Sequence, residues 1–236
     1  MYLPVSATGR VPVDAAGQPV LLRHLPPTDV VVQLSRWSAL LLDDVAAFGT
    51  PQDATFFADQ PEILKAITLV RNRREMIFDP ASGEKLDYSD GGVVGRNPRG
   101  RLVFPRLDPA VIGMVQLRGT DKILLARNRQ RDGYFSLIAG YVDAGETLEQ
   151  AFAREVWEET GRRVEDLQYW GSQPWPPSGS LMVGFTGVTD DATAVGKLDG
   201  ELAEIRWVSR DELPELPLAR PGSIAHTMIM EWYHGE

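Results

Sequence analysis

Three glutamates stand close together in one short segment of this 236-residue chain. Glu155, Glu158 and Glu159 follow one another in the run Arg154-Glu155-Val156-Trp157-Glu158-Glu159-Thr160-Gly161. On an α-helix this spacing places all three carboxylates on one face within about one turn. An isolated cluster of this kind is most often a solvated helix face. Because like charges repel, the spacing also suits a site at which a divalent cation is held by oxygen ligands.

A cation held in this way suits the hydrolysis of a pyrophosphate. Metal ions screen the negative phosphate oxygens and acidify bound water, and one of the glutamates could accept the proton as general base. The glycine-bounded loop from Gly140 to Gly145 would let backbone carbonyls approach the same point. We expect Arg154 to pair with one of the glutamates and fix its rotamer.

The composition narrows the kind of metal and of partner. The chain has no cysteine and three scattered histidines, His24, His226 and His234, which excludes cysteine nucleophiles, disulfides and cysteine zinc sites. Abundant carboxylates favour Mg²⁺ or Mn²⁺, and no zinc is expected. The net charge of -9 argues against a general nucleic-acid-binding surface.

The apolar runs are short. They fall far below the roughly 20 residues that a membrane-spanning helix needs, so no membrane association is expected. The first residues, Met1-Tyr2-Leu3-Pro4-Val5, lack the charged and apolar regions of a secretory signal. The expected location is therefore the cytoplasm.

The N-terminal part of the chain predicts a small α+β domain over residues 1–75. Val30–Leu34 has the pattern of a strand, and Pro61–Arg74 that of a helix that begins at its proline. Residues 76–103 are rich in Gly, Asp, Asn and Pro, which predicts a connector with short hairpins.

Residues 104–236 predict a second, larger α/β domain. Thr147 is a plausible N-cap for the helix that carries the glutamates, and Gly161 a plausible C-terminal stop. A hairpin turn is predicted at Arg118-Gly119-Thr120-Asp121. The predicted strands are Val111–Leu117, Lys122–Ala126, Tyr134–Ala139, Val164–Trp170, Leu181–Val188 and Ala203–Val208, and the predicted helices are Thr147–Thr160 and Ile224–Tyr233.

The glutamate segment resembles the Nudix box, G-x5-E-x7-R-E-U-x-E-E-x-G-U, where U is aliphatic. The matching positions are Gly140, Glu146, Arg154, Glu155, Val156, Glu158, Glu159 and Gly161. The resemblance implies a Nudix α/β/α sandwich with a mixed sheet, preceded by the smaller α+β domain, and a Mg²⁺ or Mn²⁺ cofactor. The chain departs from the pattern at Arg162, where an aliphatic residue is expected; we expect this change to affect packing rather than metal binding.

Two further segments resemble the NADH pyrophosphatase (NAD-capped RNA hydrolase) branch of the Nudix superfamily. Phe104-Pro105-Arg106-Leu107-Asp108-Pro109-Ala110-Val111 is similar to the Y-P-R-x-D-P-A-V entry of its catalytic domain, and Ser172-Gln173-Pro174-Trp175 begins a segment similar to S-Q-P-W-P-F-P-x-S-L-M. The resemblance covers about residues 76–236. It breaks at Pro177, Ser178 and Gly179, which bears on substrate preference.

The resemblance also implies site residues. The metal ligands would be the backbone oxygen of Ala139 with Glu155, Glu159 and Glu201; Glu158 belongs to the same catalytic cluster, and Glu204 is the nearest competitor of Glu201. A tryptophan between prolines is a rigid plate that could stack on a base. The implied substrate-binding residues are Phe104, Tyr141, Gln173, Pro174, Trp175, Pro176, Ser180 and Ala225.

The branch usually carries a four-cysteine zinc ribbon between its two domains, and this chain has none of those cysteines. Asp79, Ser82, Arg96 and Arg99 stand at the corresponding positions. Our hypothesis is that Asp79 pairs with Arg96 or Arg99 and takes over the role of the metal as a clamp.

The resemblance implies hydrolysis of NADH or NAD to nicotinamide mononucleotide and AMP, removal of NAD caps from RNA as a second activity, and a homodimer. Two alternatives stay open: a Nudix enzyme that acts on ADP-ribose or another nucleoside diphosphate derivative, and a nucleotide-sensing domain without catalysis. Three groups of arginines are either solvated surface or phosphate ligands. They are Arg71, Arg73 and Arg74; Arg96, Arg99, Arg101 and Arg106; and Arg127, Arg129 and Arg131.

Overall fold

The computed structural model of the protein describes residues 1–130 and 133–235. The chain divides into two compact units. Unit 1 contains Met1–Leu107 together with Pro174–Ser180, and unit 2 contains Asp108–Gln173 and Leu181–Glu236. Arg131, a member of the third arginine group, lies outside the described residues.

Three α-helices and thirteen strands are described. The helices are α1 (Pro61–Glu75), α2 (Leu148–Thr160) and α3 (Ile224–His234). The strands are β1 (Tyr2–Val5), β2 (Val11–Val13), β3 (Val31–Gln33), β4 (Ser38–Leu41), β5 (Thr50–Gln52), β6 (Gly95–Arg96), β7 (Leu102–Val103), β8 (Asp108–Leu117), β9 (Ile123–Asn128), β10 (Ile138–Tyr141), β11 (Glu165–Trp175), β12 (Ser180–Thr189) and β13 (Leu202–Val208). In the part of the chain described, no helix has the length and apolar character of a membrane span.

Unit 1 is built on a small sheet and one helix. The sheet has the order β1-β4-β3, with β1 parallel and β3 antiparallel to β4, and β2 pairs separately with β5. Helix α1 begins at Pro61, whose fixed φ suits the first helical position. Its buried face shares one core with the strands through Ile67, Leu3 and Val32. The predicted strand and helix of this region are confirmed.

Unit 2 is an α/β/α sandwich. Its sheet has the order β11-β12-β8-β9-β13, with β10 also paired to β8. Alternate residues of β8 face opposite helices: Val111 and Val115 share a core with α2, whereas Ile112 and Met114 share a core with α3. The period-two alternation of a strand therefore buries both faces of the sheet. The predicted fold class is confirmed.

Local sequence sets the ends of α2. The Thr147 side chain accepts a hydrogen bond from the backbone N–H of Gln150, and the Gln150 side chain accepts one from the backbone of Thr147, which forms a capping box. Gly161 ends the helix in the left-handed region with a φ of 64°. Both predicted ends of this helix are confirmed.

Two predicted strand boundaries in unit 2 are wrong. The strand predicted at Tyr134–Ala139 lies at β10 instead, because Phe135 and Ser136 form only isolated bridges. Gly140 is therefore part of a strand rather than the start of a loop. The strand predicted to end at Trp170 continues as β11 to Trp175. Because β11 is at the edge of the sheet, Pro174 interrupts no central ladder of hydrogen bonds.

The connector region folds as part of unit 1 around a buried carboxylate. Asp79 is fully buried and accepts hydrogen bonds from the backbone N–H of Ala81 (2.9 Å) and the amide of Asn97 (2.9 Å). Its ionic partner is Arg101, at 3.2 Å. The hypothesis that Asp79 pairs with Arg96 or Arg99 is wrong. Arg99 pairs with Glu84 instead.

A turn at Asn97 explains why Arg101, rather than Arg96 or Arg99, meets Asp79. Asn97 accepts hydrogen bonds from the backbone N–H groups of Arg99 and Arg101, so the chain reverses there and brings Arg101 back toward Asp79. The backbone hydrogen bond from Ala81 holds the pKa of Asp79 below its ordinary value despite the opposing effect of burial, with Asn97 and Arg101 adding to it. The ionised carboxylate therefore stabilises this region.

Replacement of Asp79 by Ala should lower the melting temperature of the full chain by several degrees, because the nearly buried Asn97 amide loses its partner. The exposed Asp90 supplies the control, and Asp90→Ala should leave the melting temperature unchanged within about one degree.

The stabilisation by Asp79 should depend on pH. Since the pKa of Asp79 is lowered in the folded state, its contribution to stability is present above the unfolded pKa of about 4 and is lost as the pH falls through the folded pKa. The difference between wild type and Asp79→Asn should accordingly shrink below about pH 4. Equal melting curves of the wild type and Asp79→Ala at neutral pH would contradict the role of Asp79.

Candidate active site

Arg154 of α2 is surrounded by two glutamates of the same helix and by Glu146, which precedes it. Arg154 donates through Nη1 to Glu155 Oε1 (2.9 Å) and to Glu158 Oε2 (3.0 Å). It donates through Nε to Glu146 Oε1 (2.8 Å) and through Nη2 to the backbone oxygen of Tyr141 (2.9 Å). The pKa of Arg154 is raised, first by the hydrogen bond to Glu146. The arginine thus binds three carboxylates rather than the single one predicted.

Glu155 is a mostly buried carboxylate, with 14 % of its side chain exposed. Burial raises its pKa, Arg154 opposes that rise, and the negative charges of Glu158 and Glu201 add to it. Gly140 of β10 lies directly against it, because a Cβ at that position would be 2.0 Å from the carboxyl carbon of Glu155. A glycine in the strand is therefore needed to seat this glutamate beside the backbone of β10.

Glu159 of α2 is almost completely buried, with 4 % of its surface exposed. It lines a small recess with Ala139 of β10 and with Asn128 and Tyr134. The structure thus brings Glu159 and Ala139, two of the predicted metal ligands, to the same recess.

Glu201 reaches the cluster from the segment before β13. Its Oε1 accepts a hydrogen bond from the side-chain amide of Asn128 (2.8 Å), and its charge acts on Glu155. Its competitor Glu204 forms an ion pair with Arg127 at 3.0 Å. The geometry favours Glu201 over Glu204 as the acidic residue of this segment.

The donor set suits a hard divalent cation. Carboxylate and carbonyl oxygens are the ligands that Mg²⁺ and Mn²⁺ prefer. A cation would also offset the two effects that raise the pKa of Glu155, namely burial and the negative charges of Glu158 and Glu201. Within residues 1–130 and 133–235, no three acidic or imidazole side chains converge closely enough to hold a metal as they stand. Two of the carboxylates, Glu155 and Glu158, are instead hydrogen-bonded to Arg154.

The segment after the box divides between the two units. In unit 2, the Gln173 side chain accepts a hydrogen bond from Ile224 N–H (2.7 Å) and donates one to the Gly222 oxygen (2.8 Å), so it fixes the start of α3. In unit 1, Pro176 is buried and Trp175 is half-buried, whereas Pro174 is exposed. Ser180 is buried, and its hydroxyl lies 2.7 Å from that of Ser178.

The departure at Pro177-Ser178-Gly179 lies beside Arg71 in unit 1. Gly179 has a φ of 72°, a conformation that side chains rarely adopt. A Cβ there would lie 2.1 Å from Nη1 of Arg71. The guanidinium therefore occupies the space that another side chain would fill.

The remaining predicted substrate residues differ in exposure. Phe104 in unit 1 and Tyr141 in unit 2 expose more than half of their surfaces, 65 % and 53 %. Ala225 of α3 is buried in the core that this helix shares with the sheet. Sequence reasoning missed Asn128. Its one signal was a polar amide at the end of β9, two residues after the apolar run Ile123–Ala126.

The arginine groups are largely engaged within the protein. Arg71 pairs with Glu75, Arg73 lies over the ring of Tyr88, and Arg74 donates to the backbone oxygen of Ala7. In the third group Arg129 donates to the Gly200 oxygen at 2.8 Å. These contacts favour a structural role for the described arginines that make them.

The box geometry and the sandwich place this chain in a known family. The model of the NUDIX domain matches residues 107–232, more than half of the sequence. The chain therefore belongs to the Nudix family.

Curated relatives narrow the resemblance. The "NAD-capped RNA hydrolase NudC" of Mycobacterium bovis is 44% identical over 171 residues, which cover 66% of this chain and 54% of that protein. The protein of the same name from Salmonella heidelberg is 46% identical over 128 residues, which cover 53% of this chain and 48% of that protein. The resemblance to this branch is confirmed. The chain spans about half the length of these relatives.

A solved structure supports the fold. The crystal structure of a Nudix hydrolase from Nitrosomonas europaea aligns with a TM-score of 0.55 and 22% identity, and the alignment covers 68% of this chain and 92% of that one.

Replacement of Gly140 by Ala should destabilise unit 2 by about 1–3 kcal/mol, because the new methyl group displaces the Glu155 carboxyl from Arg154. Gly171 in β11 is the matched control, since no heavy atom lies within 4 Å of a Cβ added there. Denaturant unfolding of the two variants measures the difference. Equal stabilities of Gly140→Ala and Gly171→Ala would show that Glu155 does not need this close approach.

Proposed function

We propose that this protein hydrolyses the pyrophosphate bond of NADH or NAD and releases nicotinamide mononucleotide and AMP. The observation that carries the proposal is the set of acidic residues on and beside α2: Arg154 holds Glu155 and Glu158, and the charge of Glu201 acts on Glu155. Glu159 lines a recess with Ala139. The Nudix family and the names of the curated relatives support it.

The proposed cofactor is Mg²⁺ or Mn²⁺. Its ligands are Glu155, Glu159, Glu201 and the backbone oxygen of Ala139. When bound, such a cation screens the phosphate charges and lowers the pKa of a coordinated water. No zinc is included, because the chain has no cysteine to supply a thiolate site.

The protein's own residues orient the reaction. Arg154 holds Glu155 and Glu158 in one arrangement, so their rotamers are set before substrate arrives. Glu158 is the proposed general base, since its side chain is the more exposed of these two, 48 % against 14 %. A carboxylate at the solvent side of the cluster is placed to accept the proton of an attacking water.

The substrate-binding residues are proposed from the branch resemblance. Tyr141, exposed at the end of β10, and Phe104 offer aromatic faces that suit a base or a nicotinamide ring. The other proposed residues are Gln173, Pro174, Trp175, Pro176, Ser180 and Ala225. In this proposal Gln173 contributes indirectly, because its side-chain amide fixes the start of α3 through hydrogen bonds to Ile224 and Gly222.

The domain organisation is part of the same proposal. It comprises an N-terminal accessory domain at residues 1–75, a zinc-free connector at 76–103 and a Nudix hydrolase domain at 104–236. The protein is proposed to act as a homodimer. A second proposed substrate is the 5′ end of NAD-capped RNA, supported by the names of the relatives.

One observation favours a second candidate, a Nudix pyrophosphatase that acts on ADP-ribose. The turn at Pro177-Ser178-Gly179 departs from the branch signature, and Arg71 fills the space beside Gly179. A changed turn next to Trp175 alters the segment that the resemblance assigns to the dinucleotide. ADP-ribose lacks the nicotinamide ring for which an aromatic plate is suited.

Glu158→Gln should lower kcat for NADH hydrolysis by about 100- to 10,000-fold, because the amide cannot accept the proton, while nucleotide binding persists. Glu149→Gln changes an exposed glutamate of the same helix in the same way and should leave kcat unchanged. Turnover with Mn²⁺ measures the first effect, and calorimetric titration with a non-hydrolysed nucleotide the second. Wild-type turnover of Glu158→Gln would remove Glu158 from the catalytic cluster.

A panel of NADH, NAD, ADP-ribose and NAD-capped RNA, each incubated with Mg²⁺ or Mn²⁺, tests the substrate. We expect AMP and nicotinamide mononucleotide from NADH or NAD, with kcat/KM at least about tenfold above that for ADP-ribose. Chromatography of the products provides the measurement. Faster turnover of ADP-ribose would favour the second candidate, and binding without any hydrolysis would favour a nucleotide-sensing domain.

A further inference from the structure

The segment that bears Glu201 lies against the C-terminal end of α2. Residues 190–201 connect β12 to β13 within unit 2. The oxygen of Gly161 accepts hydrogen bonds from the N–H groups of Val195 (2.8 Å) and Gly196 (3.0 Å). A Cβ on Gly196 would lie 2.5 Å from the indole of Trp157, so this contact is close. The segment is therefore attached to the helix rather than extended into solvent.

Arg162 stands at the base of this attachment. It is buried, with 8 % of its surface exposed. Its guanidinium donates hydrogen bonds to the backbone oxygens of Thr160 (2.8 Å), Asp191 (3.2 Å) and Ala192 (3.2 Å). The first of these belongs to the last turn of α2, where backbone oxygens lack helical partners, and the other two belong to the segment. One side chain thus binds both parts.

An aliphatic residue at this position could not make these contacts. A guanidinium offers five N–H donors in a rigid plane, and a cation near the C-terminus of a helix also interacts favourably with the helix dipole. The indole N–H of Trp207 donates to the same Ala192 oxygen at 2.7 Å, and the Arg162 guanidinium lies 5.5 Å from the ring of Trp207. Arg162, which departs from the box pattern, is therefore matched by specific contacts with residues 191–192 and with Trp207.

The attachment continues to Glu201. The backbone N–H of Asp199 donates to the backbone oxygen of Glu158 (3.0 Å). The Asp199 side chain accepts a hydrogen bond through Oδ1 from the backbone N–H of Glu201 (2.8 Å). A chain of hydrogen bonds and short backbone links thus runs from Arg162 to a residue whose charge acts on Glu155.

We propose that Arg162 is a positioning residue: by fixing residues 190–201 on the end of α2, it sets where the Glu201 carboxylate stands relative to Glu155 and Glu159. This inference rests on the proposed function, in which these three glutamates bind the divalent cation. It differs from the expectation that the change at Arg162 affects packing alone. Residues that orient metal ligands commonly alter metal affinity 10- to 100-fold when they are replaced.

The test compares Arg162→Leu, which restores an aliphatic residue, with Arg162→Lys and the matched control Arg163→Leu in the full chain. Arg163 is exposed, and its guanidinium lies over Trp157. Titration with Mn²⁺ alone, monitored by electron paramagnetic resonance, should give a Mn²⁺ dissociation constant about tenfold or more above that of the wild type for Arg162→Leu. Arg162→Lys should recover part of the affinity, and Arg163→Leu should retain it. The kcat for NADH at saturating Mn²⁺ should fall much less than the affinity.

Hydrogen exchange separates the attachment from the metal site. The amides of Val195, Gly196 and Asp199 should exchange faster in Arg162→Leu than in the wild type, whereas those of β8 should not change. If Arg162→Leu does not fold, Asp199→Ala removes the final link and should weaken Mn²⁺ binding while exchange at Val195 stays slow. Wild-type Mn²⁺ affinity in a folded Arg162→Leu would overturn the inference. Unchanged affinity in Glu201→Gln would instead contradict the proposed ligand set.

Discussion

The structure around α2 depends on the compensation of negative charge. Glu146, Glu155 and Glu158 would repel one another at close range, and the guanidinium of Arg154 lies among them with a hydrogen bond to each. Burial and the neighbouring carboxylates still raise the pKa of Glu155. A cluster that is compensated but still rich in oxygen ligands is well suited to exchange some of its contacts with an arginine for contacts with a cation.

Packing fixes where this cluster stands. Gly113 in β8 leaves the space that Phe152 of α2 occupies, since a Cβ there would be 2.3 Å from the phenyl ring. Gly140 does the same for the carboxyl of Glu155. On the other face of the sheet, the buried side chains of α3 close the second layer. The glycines of β8 and β10 thus determine how closely the helix and its glutamates approach the sheet.

The connector shows how a region can be held without cysteines. The buried Asp79 binds two backbone or side-chain amides and Arg101, and a small apolar cluster of Leu86, Tyr88 and Val103 lies in the same region. Each contact is weaker than a zinc–thiolate bond, but the turn residues reduce the conformational freedom that must be lost on folding.

The sequence alone determined the helix that carries the glutamates and both of its ends, because helical spacing, an N-cap and a left-handed glycine are local properties. The class of fold followed from the resemblance of its motifs to the Nudix family. The sequence did not determine which arginine meets Asp79, where β10 and β11 begin and end, or that Asn128 and Arg162 contact Glu201 and its segment. Ion pairs between distant residues, edge-strand pairing and the docking of a loop on a helix end depend on the relative placement of elements. Only the tertiary structure supplies that placement, since many partners in the sequence satisfy the same local rules.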